Sequence, residues 1–440
     1  MLRKLYHKYL SQLKNRFSLA PILKGGWGDR LAIALLSLVT ILYLSPLVSL
    51  ASSPQQNSTS PEIRGVWLTN IDSDVLFEPN RLSQAIQTLH QLNFNTIYPT
   101  IWNWGYTLYP SQVAAKAIGR SLDPSPGLQG RDMLQEIVRQ GHQTPTGVIP
   151  STTAPQGHQT RMGVIPWFEF GFMAPADSQL AQRHPQWLTR KRNNESVWLE
   201  GKHKRVWLNP FHPEVQQFIQ DLILEVVTNY DIDGIQFDDH FGLPSEFGYD
   251  PFTVKLYQQE HQGKKPPSDP QNPEWLRWRA DKITAFLQQV FQAVKQQKPN
   301  CLISIAPNPQ RVSYDLFLAD WVQWEKQGLI EELVLQVYRN NLKVFMSELQ
   351  YPEVQAARKH IPVGIGILSG LKGKYVPWGQ IQNQVQLTRR ANFAGVSFFF
   401  YETLWNLARE HPTKRQAGFQ KTFPTTVQRP NILLGWKPKN

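Results

Sequence analysis

The feature that most restricts how this chain can fold is a repeated alternation of strand-like and helix-like segments beginning at Pro61. Strand patterns are read at residues 62–70, 94–103, 161–172, 233–239, 301–307, 333–340, 362–368 and 395–402. Between them lie segments with helical spacing of apolar residues, at 80–92, 131–140, 213–230, 275–297, 321–328, 348–360 and 380–392. In the first of these, Leu82, Ala85, Ile86 and Leu89 fall on one face, and the 213–230 segment opens with proline, which suits a first helical turn. Eight strands alternating with helices predict an α/β fold, a (β/α)8 TIM barrel. A doubly wound sheet would want a glycine-rich phosphate loop after the first strand. The nearest such pattern, Gly364-Ile-Gly366, belongs to the seventh.

A chain of 440 residues, 41% hydrophobic and 12% aromatic, can bury a core of barrel size. Its single cysteine, Cys301, sits in the apolar run Cys301-Leu-Ile-Ser-Ile305 and reads as a small core residue. The net charge of +12 does not point to nucleic acid. Half of the excess lies before residue 60, in Arg3, Lys4, Lys8, Lys14, Arg16, Lys24 and Arg30 against Asp29, and the only dense cluster beyond is Arg190 to Arg205. After the basic flank, Leu31 to Leu50 is nearly continuous apolar sequence without a charge, followed by Ala51-Ser-Ser-Pro54. Residues 1–60 are therefore read as a cytoplasmic flank with a signal peptide or membrane anchor and a polar linker. The expectation is export to the periplasm or cell envelope, with contact to the membrane if the segment is uncleaved. Residues 61–424 are read as the barrel and 425–440 as a tail.

Residues 141–150, Gly-His-Gln-Thr-Pro-Thr-Gly-Val-Ile-Pro, return almost unchanged at 157–166. Only the second copy runs on into Trp167-Phe-Glu-Phe170, so only it can be the third strand, and 141–156 is read as a duplicated loop insertion. On this reading His142 and His158 have no part in function.

The segment Tyr230-Asp-Ile-Asp-Gly-Ile-Gln-Phe-Asp-Asp-His-Phe241 carries the clearest chemistry. Side chains alternate along a strand, so Gln236 and Asp238 share the inner face while Ile235 and Phe237 turn toward helices. Asp238 would point into the barrel mouth, with Asp239 and His240 in the loop just past it. Further acids end other strands: Glu169 after the third and Glu402 after the eighth. Polar partners for a ligand are read at Asn209, Gln236, His240, Asn308, Gln336, Tyr338 and Tyr401, and aromatic platforms at Trp67, Tyr98, Trp102, Trp104 and Trp167. Rings around a pair of acids suit sugars, whose C–H faces stack on them. No serine elbow, zinc-protease helix, cysteine pair or phosphate loop competes, so neither cofactor nor metal is expected.

Several of these stretches together are similar to the glycosyl hydrolase-like 10 family: Glu62-Ile-Arg-Gly-Val-Trp-Leu-Thr-Asn70, Phe94-Asn-Thr96, Val164-Ile-Pro-Trp-Phe-Glu-Phe-Gly-Phe172, Trp207-Leu-Asn-Pro210, Asp233-Gly-Ile-Gln-Phe-Asp-Asp239 and Gly395-Val-Ser-Phe-Phe-Phe-Tyr-Glu402. The resemblance implies an exported bacterial envelope barrel that cleaves glycan strands, peptidoglycan among them. The fourth-strand motif also resembles that of α-amylase-like retaining hydrolases, which places the nucleophile at Asp238; Gln236 stands where that group keeps an arginine. Hydrolysis needs one carboxylate to attack or to activate water and one acid to protonate the leaving oxygen. Asp238 is assigned the first role, and Asp239, Glu169 and Glu402 are candidates for the second. The alternative is a glycan-binding barrel without turnover, and oligomeric state is not read.

Overall fold

The computed structural model describes residues 60–143 and 161–438. Of these, residues 60–143, 161–199 and 204–438 belong to one compact unit, the barrel treated below. Its eight parallel strands are β1 (Ile63–Leu68), β2 (Thr96–Pro99), β3 in two pieces (Gly163–Val164 and Trp167–Phe168), β4 (Gly234–Asp238), β5 (Leu302–Ala306), β6 (Glu332–Gln336), β7 (Val363–Leu368) and β8 (Gly395–Phe399). Neighbours pair in chain order, and β8 pairs with β1. The ring closes through β3, whose first piece pairs with β2 and whose second pairs with β4. Pro166 divides the two pieces because it has no N–H to give the ladder.

Each strand feeds a helix on the outside: α1 (Pro79–Gln91), α2 (Met133–His142), α3 (Pro213–Asn229), α4 (Pro273–Gln297), α5 (Trp321–Lys326), α6 (Pro352–Ala357), α7 (Trp378–Arg390) and α8 (Pro412–Thr422). Proline opens five of them, and side chains of Asp132, His212, Asn272 and Asp320 cap α2, α3, α4 and α5. Where one helix was expected over 348–360 the chain makes two, Leu342–Leu349 and α6, because Pro352 starts a new first turn. Additional helices at Gln112–Ile118, Pro251–Glu260 and Gln310–Phe317 build up the loops at the carboxyl end.

The strands sort their side chains by the expected alternation. Val66, Leu68, Ile97, Ile235, Phe237, Ile303, Ile305, Leu333, Leu335, Ile365, Ile367, Val396 and Phe398 join the core shared with the helices. The opposite faces fill the barrel, where Trp67, Tyr98, Ile165, Trp167, Leu302, Ala306 and Val334 form a separate cluster. Gly65 makes room for these rings, since a Cβ there would stand 2.8 Å from the Tyr98 ring. Cys301 is buried, as a core residue.

Polar groups within the barrel are matched to one another. The Trp67 indole donates to Gln236 (2.8 Å), Gln236 donates to Ser304 (2.9 Å), Ser304 donates to Glu332 (2.8 Å), and Tyr98 also donates to Glu332 (3.1 Å). Glu332 pairs with Arg429, which comes from the segment read as a tail. That segment lies against the amino end of the barrel: Arg64 donates to the Thr425 carbonyl, Asn95 to that of Val427, and Ile432 and Leu433 pack on the interior cluster.

His142 also has a place at this end. As the last residue of α2 it meets Asp233 at 2.9 Å, and Arg161 bonds the other oxygen of the same carboxylate. The two flanks of the duplicated segment are thus tied to the start of β4, so His142 has a structural task; residues 144–160, including His158, lie outside the described residues. Because α2 ends where β3 begins, this anchor is on the face opposite the strands' carboxyl ends. Asp231-Ile-Asp233-Gly, faintly like a calcium loop, has its Asp233 carboxylate committed to His142, Arg161 and the Val164 N–H.

Candidate active site

At the carboxyl end of β4, Asp238 faces the barrel interior, two residues above Gln236, and is 5% exposed. Gln336, from the end of β6, donates to its Oδ1 (2.6 Å) and to the Ala306 carbonyl (2.6 Å), so the amide is fixed from both sides. Asp239 accepts from Asn308, just past β5. His240 places Nδ1 at 3.4 Å from both Asp238 Oδ2 and Asp239 Oδ1, and at 2.9 Å from the Glu169 carbonyl. A carbonyl only accepts, so Nδ1 is protonated and donates to it. Asp238, Asp239 and His240 each bring a possible ligand atom within 4.8 Å of the others. Nδ1, the nitrogen that approaches both carboxylates, carries a proton and is not a metal donor, so the trio fits an acid pair steadied by imidazolium or neutral imidazole better than a cation site.

Glu169, one residue beyond β3, is a third buried acid of the mouth. Its Oε2 accepts from Thr69 (3.1 Å), Thr100 (2.9 Å) and Asn103 (2.8 Å). Burial, and after it the charge of Asp238, pushes its carboxyl up to about 8, although Thr100 and Thr69 oppose the rise. Near neutral pH Glu169 is therefore a protonated acid. Tyr338, stacked on Phe399 (5.7 Å between centroids), faces the same group. Burial, and then the charges of Asp238, Asp239 and Glu169, keep its hydroxyl protonated far above the ordinary phenol range.

The outer wall is aromatic. After β2 a hairpin pairs Asn103 with Tyr106, and its two turn residues are Trp104 (φ 56°) and Gly105 (φ 76°). Two positive φ values make the turn match the twist of the hairpin, at a cost for a residue as large as tryptophan. The strained Trp104 is held by stacking on Phe170 (5.9 Å) and by the Arg205 guanidinium 4.5 Å above its ring. Phe170 and Trp207 in turn flank His240, each with its ring centroid 6.1 Å away. Trp167 lies just below, and its buried indole N–H has no hydrogen-bond partner among the described residues.

The structure thus brings Asp238, Asp239, Glu169, His240, Asn308, Gln336, Tyr338 and Trp104 together and leaves other expected residues elsewhere; Trp167, level with Gln236 in the β3–β4 register, belongs to the interior cluster. Trp67, Tyr98 and Gln236 are inward but one layer deeper, fully used in the barrel network. Trp102 donates to the Gly171 carbonyl and packs on Phe218 of α3. Asn209 ties its loop to Asp250 and Thr253 of the following helical cap. Glu402 bonds Ser73 and Asn406 and, with Tyr401, lines a separate cavity of about 280 Å³ beside α1 and α8. Its hydrogen bonds among the described residues reach none of the groups that hold the other three acids. Thr69, Thr100 and Asn103 were missed. The available signal was position: Thr69 and Thr100 directly follow β1 and β2, at the level where Glu169 follows β3.

Similarity to known proteins agrees with this geometry. The chain is 22% identical to the glycosyl hydrolase DigH of Escherichia coli K12 over 298 residues, covering 63% of this chain and 62% of that protein. It therefore spans less than two thirds of that relative's length. It is 28% identical to the glycosyl hydrolase YngK of Bacillus subtilis 168 over 174 residues, 36% of this chain and 31% of that one. Among solved structures, the glycoside hydrolase domain of PgaB (BpsB) from Bordetella bronchiseptica superposes with a TM-score of 0.57 at 13% identity, over 77% of this chain and 94% of its own. The catalytic domain of β-amylase from Paenibacillus polymyxa gives 0.51 at 11% identity, over 86% and 100%. Both likenesses concern the fold. A model of one family matches residues 62–388, most of the barrel, and the chain belongs to that family, glycosyl hydrolase-like 10.

Proposed function

We propose that this chain is a glycoside hydrolase that cuts a β-linked glycan of the bacterial cell envelope, the peptidoglycan strand, with Asp238 as nucleophile or base and Glu169 as general acid. The observation that carries the reading is the unequal treatment of two buried carboxyls in one mouth. Asp238 is aimed inward by a doubly anchored amide, whereas Glu169 is held protonated near neutrality. Paired acids in opposite protonation states are what glycosidic cleavage requires. Asp239, engaged by Asn308 and beside His240, completes the electrostatics of the pair.

The substrate class draws on three supports. Trp104, Phe170 and Trp207 offer ring faces along the wall beside the acids. Relatives over much of the barrel bear the name glycosyl hydrolase. The basic flank and the apolar run Leu31 to Leu50, outside the described residues, support an exported barrel, which would meet wall polymer. No helix of the described residues is long and apolar enough to cross a membrane.

The test is release of soluble fragments from purified glycan strands, with and without stem peptides, by wild type and by Asp238→Asn. Release by wild type alone supports the reading. Equal release by both removes Asp238 from the chemistry, and no release from any envelope glycan favours a barrel that binds without cutting.

A further inference from the structure

Asn103 can be oriented in only one way. Its Oδ1 accepts from the Trp104 N–H (2.8 Å), so its Nδ2 is the atom that donates to Asn70 Oδ1 (2.7 Å) and to Glu169 Oε2 (2.8 Å). Thr69 Oγ1 already accepts from the Ile71 N–H (3.2 Å), which leaves its own proton for Glu169 Oε2. Thr100 supplies a third donor to the same oxygen. With three donors converging, Oε2 has no room for a proton of its own. The proton of the neutral acid sits on Oε1, to which no described residue hydrogen-bonds.

We propose that Thr69, Thr100 and Asn103 are positioning residues that decide which oxygen of Glu169 delivers the proton and set the upper pH at which it can do so. The inference rests on Glu169 being the general acid. The three donors come from different elements, the ends of β1 and β2 and the hairpin after β2, so the carboxyl is triangulated by the barrel wall itself. Such a clamp holds the plane of the acid as well as its place, and proton transfer depends on both. It also opposes the burial and the Asp238 charge that favour the neutral form, because each donated bond stabilises the carboxylate. The other titratable groups facing Glu169 are His240 after β4 and Tyr338 after β6, with Asp239 alongside; Arg205 is occupied over the rings of Trp104 and Phe170.

Removing one donor therefore has a definite sign. Glu169 should keep its proton to higher pH and, less firmly aimed, should use it less well. For Thr100→Val, which keeps the shape, the alkaline limb of kcat/KM on peptide-free peptidoglycan strands should move up by about one pH unit, the size of one charge-assisted hydrogen bond. Turnover should fall about tenfold with KM little changed, and Thr100→Ser should restore both. The protonated carboxyl band in infrared difference spectra, identified by its loss in Glu169→Gln, reports the same titration without turnover. Thr69→Val repeats the measurement from another strand should Thr100→Val fold poorly. The expected result is a band and an alkaline limb that both shift upward and return with serine. A band that titrates alike in wild type and both valine variants overturns the clamp. A shifted band together with wild-type turnover by Glu169→Gln keeps the clamp and removes Glu169 as the general acid.

Discussion

The two ends of the barrel both bury carboxylates, and they neutralise them in different ways. At the amino end each acid meets a cation: Glu62 lies between Arg64 and Arg389, Glu332 meets Arg429, Asp233 meets Arg161 and His142, and Glu331 meets Lys295. Burial alone would raise Glu62 and Asp233, but the bonds and charges of these partners outweigh it and hold both below the ordinary carboxylate range. At the carboxyl end no lysine or arginine among the described residues pairs with Asp238 or Glu169. Amides and hydroxyls do the bonding instead, and Glu169 moves the other way. A buried acid with a cation is locked in one charge state and serves as scaffold. A buried acid with neutral donors can still exchange a proton, which chemistry needs.

The contrast breaks most visibly if the mouth is neutralised. Asp238→Asn keeps size and hydrogen bonding but loses the charge, so turnover should fall by roughly three orders of magnitude or more while the melting midpoint moves by only a few degrees. A large loss of folding stability together with activity would show that Asp238 belongs with the scaffold acids. At the other end, Arg429→Met leaves Glu332 buried and unpaired, at a cost of about 3–5 kcal/mol in a denaturant titration. Activity per folded molecule should stay at the wild-type level, and adding Glu332→Gln should recover much of the stability. If Arg429→Met is instead fully stable but inactive, the division of labour between the ends is wrong.

Glu169→Gln sharpens the comparison through pH. Between the ordinary value of 4.5 and about 8 the unfolded chain has released this proton and the folded chain has not. Wild-type stability is therefore lost as pH rises through that window and stays low above it. The variant escapes this loss, so its advantage should grow from acid to mildly alkaline pH, reaching on the order of 2–4 kcal/mol. An advantage that shrinks with rising pH would contradict a neutral Glu169. The smallest effect is expected from excising residues 145–160, which rejoins His142-Gln-Thr to Arg161 and restores one uninterrupted copy of the repeated sequence. Both flanks remain on Asp233, on the face away from the acids, so melting and turnover should match wild type within error. A marked loss of turnover would tie the duplication to the mouth.

Much of this arrangement was legible in the chain itself, because a strand's period of two states which side chains share a face. That placed Asp238 inward with Gln236 and turned Ile235 and Phe237 outward, as found. Period says nothing of depth, however. Trp67, Tyr98 and Gln236 face the axis as expected, yet lie a layer below the mouth, bonded to one another's neighbours and closed to a ligand. Past the end of a strand even direction is lost, since loop contacts set it. Asn209 turns to Asp250, Trp102 to Gly171, and Glu402 to Ser73 for reasons that exist only once the loops have met. The Glu169 clamp escaped notice for the opposite reason: threonine at a strand end is ordinary β-sheet composition, and only convergence in space distinguishes it.

The pairing of Glu332 with Arg429 has a consequence for biosynthesis. The two residues are 97 positions apart, with β7, β8 and their helices between them. A ribosome delivers the acid before its counter-ion, so until the 425–433 segment docks the floor of the barrel lacks the guanidinium that faces Glu332 in the finished fold. Docking of that segment supplies the guanidinium and covers the floor with Ile432 and Leu433. The floor of the barrel is thus finished by an irregular segment and not by a strand, and anything that detains that segment would act on folding before it acted on catalysis.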